Sequence, residues 1–193
     1  MFTKFFKLAA SLALTSAVAH AVTVDFNAVA ASIGASYTSG AVTFVPTAGS
    51  DLTTGVGPNG TRGLLGSDGE PYYTIRANIA GGTSSVSVDL GDFDQDADTI
   101  FLEIFSAANV SLGYTSQLLA TSFSGMVTLN LSASNIAYAV FGSIAPSAGG
   151  SSVYADNFTY GAASTPDAGS TLALFAAGLG LVGVAARSRK SVR

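Results

Sequence analysis

The chain has 193 residues, 48% of them hydrophobic, with no Cys, no Trp, one His and a net charge of −4. Between residues 22 and 166 lie eleven acidic residues but only two basic ones, Arg62 and Arg76, so this stretch carries a charge of −9. That charge opposes nucleic-acid binding, which depends on cationic contacts to phosphate. The lack of His and Cys in the same stretch excludes a Ser-His-Asp triad, a Cys-His nucleophile, the usual zinc site and disulfides.

The first 21 residues have the pattern of a secretory signal peptide. Lys4 and Lys7 precede an apolar run over 8–18, and Ala19 and Ala21 form the small-residue site that signal peptidase recognises. The apolar run is too short to span a bilayer, which disfavours a permanent anchor. We therefore predict a signal helix over 1–21 and export of the chain after cleavage behind Ala21.

Residues 22–160 alternate apolar and polar side chains with a period of two. In the stretch 85–90, Val86, Val88 and Leu90 share one face, and 126–131 repeats the pattern. Further strands are predicted at 22–26, 41–45, 72–76, 99–105, 117–123, 136–142 and 152–160. About nine short strands without a helical pattern predict one antiparallel β-sandwich, jelly-roll-like, with a β-barrel as the alternative.

Residues 46–70 are rich in Gly, Thr and Asp and predict a long surface loop. Such a loop either carries a binding function or simply connects two strands.

Four aspartates alternate along the stretch 92–98. Asp92, Asp94, Asp96 and Asp98 offer the oxygen ligands that Ca²⁺ prefers. An EF-hand loop would add Glu103, but Ala97 stands where that loop needs Gly, and Glu103 lies inside a predicted strand. Two interpretations stay open, a calcium loop of another kind and a solvated acidic turn.

A second carboxylate lies in the last predicted strand. Strict alternation there places Tyr154, Asp156, Phe158 and Tyr160 on one face. A carboxylate on an aromatic face needs a partner, unless that face is exposed and solvated.

The chain ends in an apolar segment followed by basic residues. Residues 171–186 carry no charge and would rise about 24 Å as a helix, close to the ~30 Å of a bilayer core. Arg187, Arg189 and Lys190 follow, and such residues are retained on the cytoplasmic side. Pro166 keeps the segment before the helix extended. A buried C-terminal helix is the alternative.

This tail resembles the PEP-CTERM sorting signals of Gram-negative bacteria. Pro166, Asp167, Gly169 and Ser170 match the variant in which Pro-Asp replaces Pro-Glu-Pro, whereas Thr165 and Ala168 depart from it. The resemblance implies transient anchoring in the inner membrane and cleavage near the Pro-acid motif by an exosortase, an integral membrane enzyme. The linker would be 161–166, the sorting segment 167–193, and the final location the cell surface or the extracellular space.

The middle domain, at 85–113 and 153–160, resembles the sugar-binding-type jelly rolls found ahead of such tails. That resemblance implies that Asp156 binds a structural calcium ion, which Asp25 near the first strand would join.

These patterns predict a non-enzymatic structural or adhesive protein of an exopolysaccharide or biofilm matrix, without catalytic residues. The alternative is a calcium-stabilised carbohydrate-binding module, in which tyrosines stack on sugars: Tyr72, Tyr73, Tyr114, Tyr138 and Tyr154. A secreted glycosidase is less favoured, because nothing in the sequence brings a pair of carboxylates together around Glu70 or Glu103.

Overall fold

The computed structural model describes residues 20–47, 51–66, 74–144 and 153–161, which belong to the compact unit His20–Ala163. All regular elements in these ranges are strands, and all their pairings are antiparallel, so the predicted all-β antiparallel fold is confirmed. The predicted signal segment up to residue 19 and the sorting segment 167–193 lie outside the described residues. Within the described ranges no helix is long and apolar enough to cross a membrane.

The strands of the described ranges run in chain order as follows: β1 Val22–Val24, β2 Ser32–Gly34, β3 Tyr37–Ser39, β4 Val42–Pro46, β5 Leu52–Val56, β6 Arg62–Gly66, β7 Ile75–Asp92, β8 Asp98–Phe105, β9 Ser111–Leu119, β10 Val127–Ser143 and β11 Val153–Gly161.

Two long strands, β7 and β10, divide the sheet into two branches. The first half of β7 pairs with β4 and with the second half of β10, which also pairs with β8. We call this part, with β3 and β9, the first branch. The second half of β7 pairs with β11 and with the first half of β10, and β11 leads on to β1 and to β6, β5 and β2. We call this part the second branch.

The change of branch lies in the middle of both long strands. In β7, Gly81 and Gly82 have positive φ angles of 81° and 72°, which glycine adopts without steric cost. In β10, the pairing register shifts on both sides of Ile136, and Asn135 has a φ of 62°. Such irregularities bend strands, and here they let β7 and β10 belong to both branches.

The apolar faces of the two branches pack against each other. Phe44 of β4 and Phe158 of β11 meet edge to face with ring centroids 5.2 Å apart, and Phe26 and Phe141 pack beside them at 5.3 and 5.6 Å. All four side chains are fully buried. Burying each such side chain contributes about 1.5–3 kcal/mol, so this contact between branches is a main source of stability.

The alternating pattern located the core correctly, but the strand boundaries differ. Val86, Val88 and Leu90 are buried as predicted. The predicted strands 72–76 and 85–90 are parts of the single strand β7, and 126–131 and 136–142 are parts of β10. The strand predicted at 117–123 was placed too late, because the chain turns back after Leu119 and Ser122 has a positive φ of 69°.

The prediction of a long loop over 46–70 is wrong for its described part. Residues 52–66 form a hairpin in which β5 and β6 pair from Leu52 opposite Gly66 to Val56 opposite Arg62. Leu52 and Leu64 are fully buried and tie the hairpin to the core. The loop was predicted from the glycine content, but the glycines of this stretch serve packing as well as turns.

Tyr154 of β11 explains several of these glycines. Its ring is fully buried, and an added Cβ would lie only 2.6 Å from ring atoms at Gly63 and at Gly91. At Gly63 the Cβ would also lie 2.8 Å from the backbone oxygen of Ala155. The Tyr154 hydroxyl donates a hydrogen bond to Asn59 Oδ1 at 2.9 Å. The hairpin therefore covers a large ring that only glycines admit.

We expect Gly63→Ala to lower the free energy of unfolding of the full chain by about 1–3 kcal/mol, because the methyl group overpacks against backbone as well as ring. Gly113→Ala is the matched control, since a Cβ in that strand meets its nearest neighbour at an ordinary 3.6 Å. Thermal and urea unfolding would measure both variants. Equal stability of the two would contradict the packing described here.

Candidate functional site

The acidic loop, which we define as residues 92–98, joins the end of β7 to the start of β8. Asp92 and Asp98 have no exposed surface, Asp96 is half-buried and Asp94 is exposed. One carboxylate oxygen from each of the four lies within 4.8 Å of the others. The structure thus brings the four predicted ligands together, with two of them withdrawn from the solvent that a simple acidic turn would face.

Backbone hydrogen bonds fix the conformation of this loop. Asp92 Oδ1 accepts hydrogen bonds from the N–H groups of Asp94 at 3.1 Å and Gln95 at 2.7 Å. Gln95 has a positive φ of 63°, and its carbonyl accepts a hydrogen bond from Ser122 N–H at 2.8 Å. The loop is therefore tied to the β9–β10 connection.

The other oxygen of Asp92 is the unusual atom of the loop. Oδ2 is buried and has no hydrogen-bond partner among the residues that the structure describes. Burial raises the pKa of the Asp92 carboxyl to about 7, and the neighbouring carboxyls of Asp94 and Asp98 act in the same direction, against the lowering effect of the Gln95 N–H. Asp92 thus sits where the charged form of its carboxyl is disfavoured.

Glu103 does not belong to this cluster. It lies in the middle of β8, opposite Tyr114 of β9 and Val140 of β10. The loop lies between two strands, so the sequence argument against an EF-hand agrees with the structure.

A bulge in β11 corrects the predicted arrangement around Asp156. Asp156 lies opposite Asp89, but Thr159 lies opposite Ser87, so β11 contains one extra residue at this point. Asn157 has a positive φ of 46° there. The extra residue reverses the alternation, and Phe158 and Tyr160 face the core while Tyr154 and Asp156 lie on the opposite face. The prediction that all four share one face is therefore wrong.

Asp156 is 1% exposed and hydrogen-bonded to backbone. Its Oδ1 accepts hydrogen bonds from the N–H groups of Phe26 at 3.3 Å and Asn157 at 2.8 Å. Burial raises its pKa despite these bonds, with Asp25 and Asp89 acting in the same direction. Asp25 is exposed and accepts a bond from Asn27 N–H at 3.0 Å. Among the described residues, the cluster of three or more acidic ligands is the one at 92–98, and it includes neither Asp25 nor Asp156.

We expect Asp156→Asn to become more stable relative to the native chain as pH rises from about 4 to 7. The raised pKa means that the folded chain favours the protonated carboxyl, so native stability falls as pH rises above the ordinary value of 3.8. The amide keeps an acceptor for Phe26 N–H without the charge. Thermal melts of the full chain across this range would measure the difference.

Two further variants control this experiment. Asp156→Ala removes the acceptor of the Phe26 and Asn157 N–H groups, so it should be about 1–3 kcal/mol less stable than Asp156→Asn at every pH. Asp51→Asn alters an exposed carboxylate and should follow the native pH profile. A difference between Asp156→Asn and the native chain that stays constant with pH would contradict the burial effect.

The outer side of the first branch carries a second candidate site. Ile100, Leu102 and Ile104 of β8 face the core, so the intervening residues point outward. The register continues this outer surface across β7, β10, β8 and β9. We call it the aromatic face, and its residues are Arg76, Asn78, Phe101, Glu103, Phe105, Tyr114, Ser116, Leu118, Tyr138 and Val140.

The rings of the aromatic face are stacked in two pairs. Phe105 and Tyr138 lie parallel with centroids 4.7 Å apart, and the Arg76 guanidinium lies 3.7 Å from the centre of the Tyr138 ring. Phe101 and Tyr114 stack at 6.1 Å with an interplanar angle of 19°. Phe101 and Tyr138 are largely covered, whereas Tyr114 is 50% exposed. Tyr114 is therefore the accessible ring, held in place by Phe101.

Polar contacts fix the other side chains of this face. Arg76 Nε donates a hydrogen bond to Asn78 Oδ1 at 2.8 Å, and the Tyr138 hydroxyl donates to Asn109 Oδ1 at 3.1 Å. The face thus combines a fixed, half-exposed ring with an amide, a guanidinium and a carboxylate. Such a surface stacks against flat apolar groups and hydrogen-bonds to hydroxyls.

Sequence reasoning found only part of this face. Tyr114 and Tyr138 were among the predicted stacking residues, whereas no phenylalanine was predicted to stack. The signal was present in 99–105, where the face opposite Ile100, Leu102 and Ile104 carries two phenylalanines. Of the other predicted tyrosines, Tyr154 is buried under the hairpin, and Tyr72 and Tyr73 lie outside the described residues.

Comparisons with known proteins give only distant likenesses. No family model and no curated protein matches the chain. A family 29 carbohydrate-binding module from Piromyces equi is 9% identical, covering 78% of this chain and 95% of its own, with a TM-score of 0.44. A family 11 carbohydrate-binding module from Clostridium thermocellum, in complex with a mixed-linked tetrasaccharide, is 16% identical, covering 75% and 96%, with a TM-score of 0.39.

The arabinose-bound α-L-arabinofuranosidase MgGH51 is 15% identical over 61% of this chain, with a TM-score of 0.43, and the match spans 23% of that enzyme's length. At these scores the likenesses assign neither a ligand nor an activity to this chain.

Proposed function

We propose that this chain is an exported, non-enzymatic protein of the cell surface or extracellular matrix whose jelly-roll-like β-sandwich binds polysaccharide through the aromatic face. The observation that carries the proposal is the pair Phe101–Tyr114, which holds a half-exposed ring on the outer surface of the sheet. An adhesive role in an exopolysaccharide or biofilm matrix would follow from such binding.

The chemistry of this face fits a neutral sugar polymer. Pyranose rings present flat arrays of C–H groups that pack on aromatic rings, and their hydroxyls pair with amides and charged side chains. The face itself carries one positive and one negative side chain, Arg76 and Glu103. The stretch 22–166 carries −9, which repels polyanions such as uronic-acid polymers. A neutral polysaccharide is therefore the class of ligand we favour.

The arrangement of carboxylates favours binding over hydrolysis. Glycoside hydrolysis needs two carboxyl groups about 5–9.5 Å apart on either side of the bond. Glu103 is the only acidic side chain that the described strand registers place on the aromatic face. The carboxylates of the acidic loop form a separate cluster, which suits a cation better than a sugar.

The terminal segments support export and sorting. The signal pattern over 1–21 would direct the chain to signal peptidase, and the tail that begins at Pro166 and Asp167 would hold it at the inner membrane for an exosortase. Cleavage there would release the domain to the surface of a Gram-negative cell. Nothing in this route requires a catalytic residue in the domain itself.

We expect Tyr114→Ala to weaken polysaccharide binding about tenfold, which is the scale of one lost aromatic contact. Affinity electrophoresis of the full chain against neutral and acidic glucans would measure it. The ring is half exposed, so thermal stability should change little. Val56→Ala is the control, because it removes exposed apolar surface on the hairpin of the second branch.

Equal retardation of Tyr114→Ala and the native chain on a glucan that both bind would exclude the aromatic face as the binding surface. Failure of the native chain to bind any glucan of the panel would leave only the matrix-structural role.

Processing of the chain has its own test. The intact mass of protein recovered from the culture medium should correspond to a species that starts at Val22 and ends near Pro166. Changing Pro166 and Asp167 to Ala should leave the tail attached and the protein in the membrane fraction. A secreted native species that still carries residues 172–193 would contradict cleavage by an exosortase.

A further inference from the structure

We propose that the acidic loop is a calcium site in which Asp92, Asp94, Asp96 and Asp98 share one ion that joins the two branches of the sheet. This inference does not depend on polysaccharide binding, because no residue of the loop belongs to the aromatic face.

The spacing of the four carboxylates fits one ion. Calcium–oxygen distances are about 2.3–2.6 Å, so two ligands on opposite sides of one calcium ion are up to about 5 Å apart. The four oxygens lie within 4.8 Å of one another, inside that limit. All four are hard carboxylate donors, which favours Ca²⁺ over the transition metals that bind His or Cys.

Asp92 gives independent support for an ion. The side chain is fully buried, and Oδ1 is already satisfied by the backbone N–H groups of Asp94 and Gln95. Oδ2 is buried without a hydrogen-bond partner among the described residues, although it belongs to a carboxylate surrounded by others. Buried acceptors are almost always satisfied, and a cation at the centre of the cluster would satisfy this one.

The position of the loop gives the ion a structural role. Asp92 is the last residue of β7 and lies opposite Val153 of β11, in the second branch. Asp98 is the first residue of β8 and lies opposite Leu119 of β9, in the first branch. One ion bound by both residues would hold the two branches together at this end. Its binding should therefore stabilise the whole domain by mass action.

Calcium chloride alone is the probe for this site. We expect added calcium to raise the melting temperature of the chelator-treated full chain, with an increment that grows with calcium concentration above the dissociation constant. Isothermal titration should give one ion per chain. A melting curve that is the same in chelator and in millimolar calcium, together with no heat of binding, would overturn the proposal.

Matched Asp-to-Asn variants locate the ion. Asp92→Asn keeps the size of the side chain and an acceptor at Oδ1 but removes the buried charge, so we expect a loss of calcium affinity of roughly tenfold or more without loss of folding. Asp25→Asn should bind calcium as the native chain does. Loss of binding in Asp25→Asn with full binding in Asp92→Asn would place the ion at Asp156 instead and refute the site proposed here.

Asp94→Asn is a second test of the calcium ligands, for use if Asp92→Asn does not fold. Asp94 is exposed and its charge repels that of Asp92, so its substitution should not lower the metal-free melting temperature while it weakens calcium binding. Unchanged calcium affinity in Asp94→Asn and Asp92→Asn alike would overturn the assignment of ligands.

Discussion

The structure depends on two strands that each belong to both branches of the sheet. Since β7 and β10 pair with each other along most of their length, one antiparallel ladder fixes the relation between the branches. Within that ladder the apolar faces of the two branches meet, and Phe44 and Phe158 contact each other edge to face. The same ladder places the aromatic face on the outer side of the first branch and the acidic loop at the end of β7.

The sequence predicted the class of fold because period-two alternation reports burial directly. Val86, Val88 and Leu90, for example, are apolar because their side chains are buried in the core. The same logic fails where the backbone departs from regular pleating. One extra residue beside Asn157 reverses the faces of β11, and nothing in the local composition distinguishes such a bulge from a continuous strand. The long strands β7 and β10 were divided for a similar reason, since Gly81, Gly82 and Asn135 have the composition of turns.

The hairpin 52–66 was not predicted because a glycine can serve either a turn or close packing against another residue, and the two cases look alike in the sequence. Gly63 is not at a turn, and it is required by the Tyr154 ring, a neighbour 91 residues further along the chain. A single sequence carries no sign of that neighbour. The aromatic face was found only in part, because only tyrosines were predicted to stack on a ligand. Phe101 and Phe105 alternate with buried isoleucine and leucine, so they had to lie on the other side of the sheet.

The acidic loop and the aromatic face are physically linked through β8. This strand begins at Asp98 in the carboxylate cluster and then presents Phe101, Glu103 and Phe105 on its outer side. The cation proposed for this loop would neutralise the carboxylates at the start of the strand. Since Phe101 supports the exposed ring of Tyr114, the position of β8 determines the position of that ring. A cation at the loop would therefore fix the start of the strand that carries Phe101, and it would stabilise the domain as a whole.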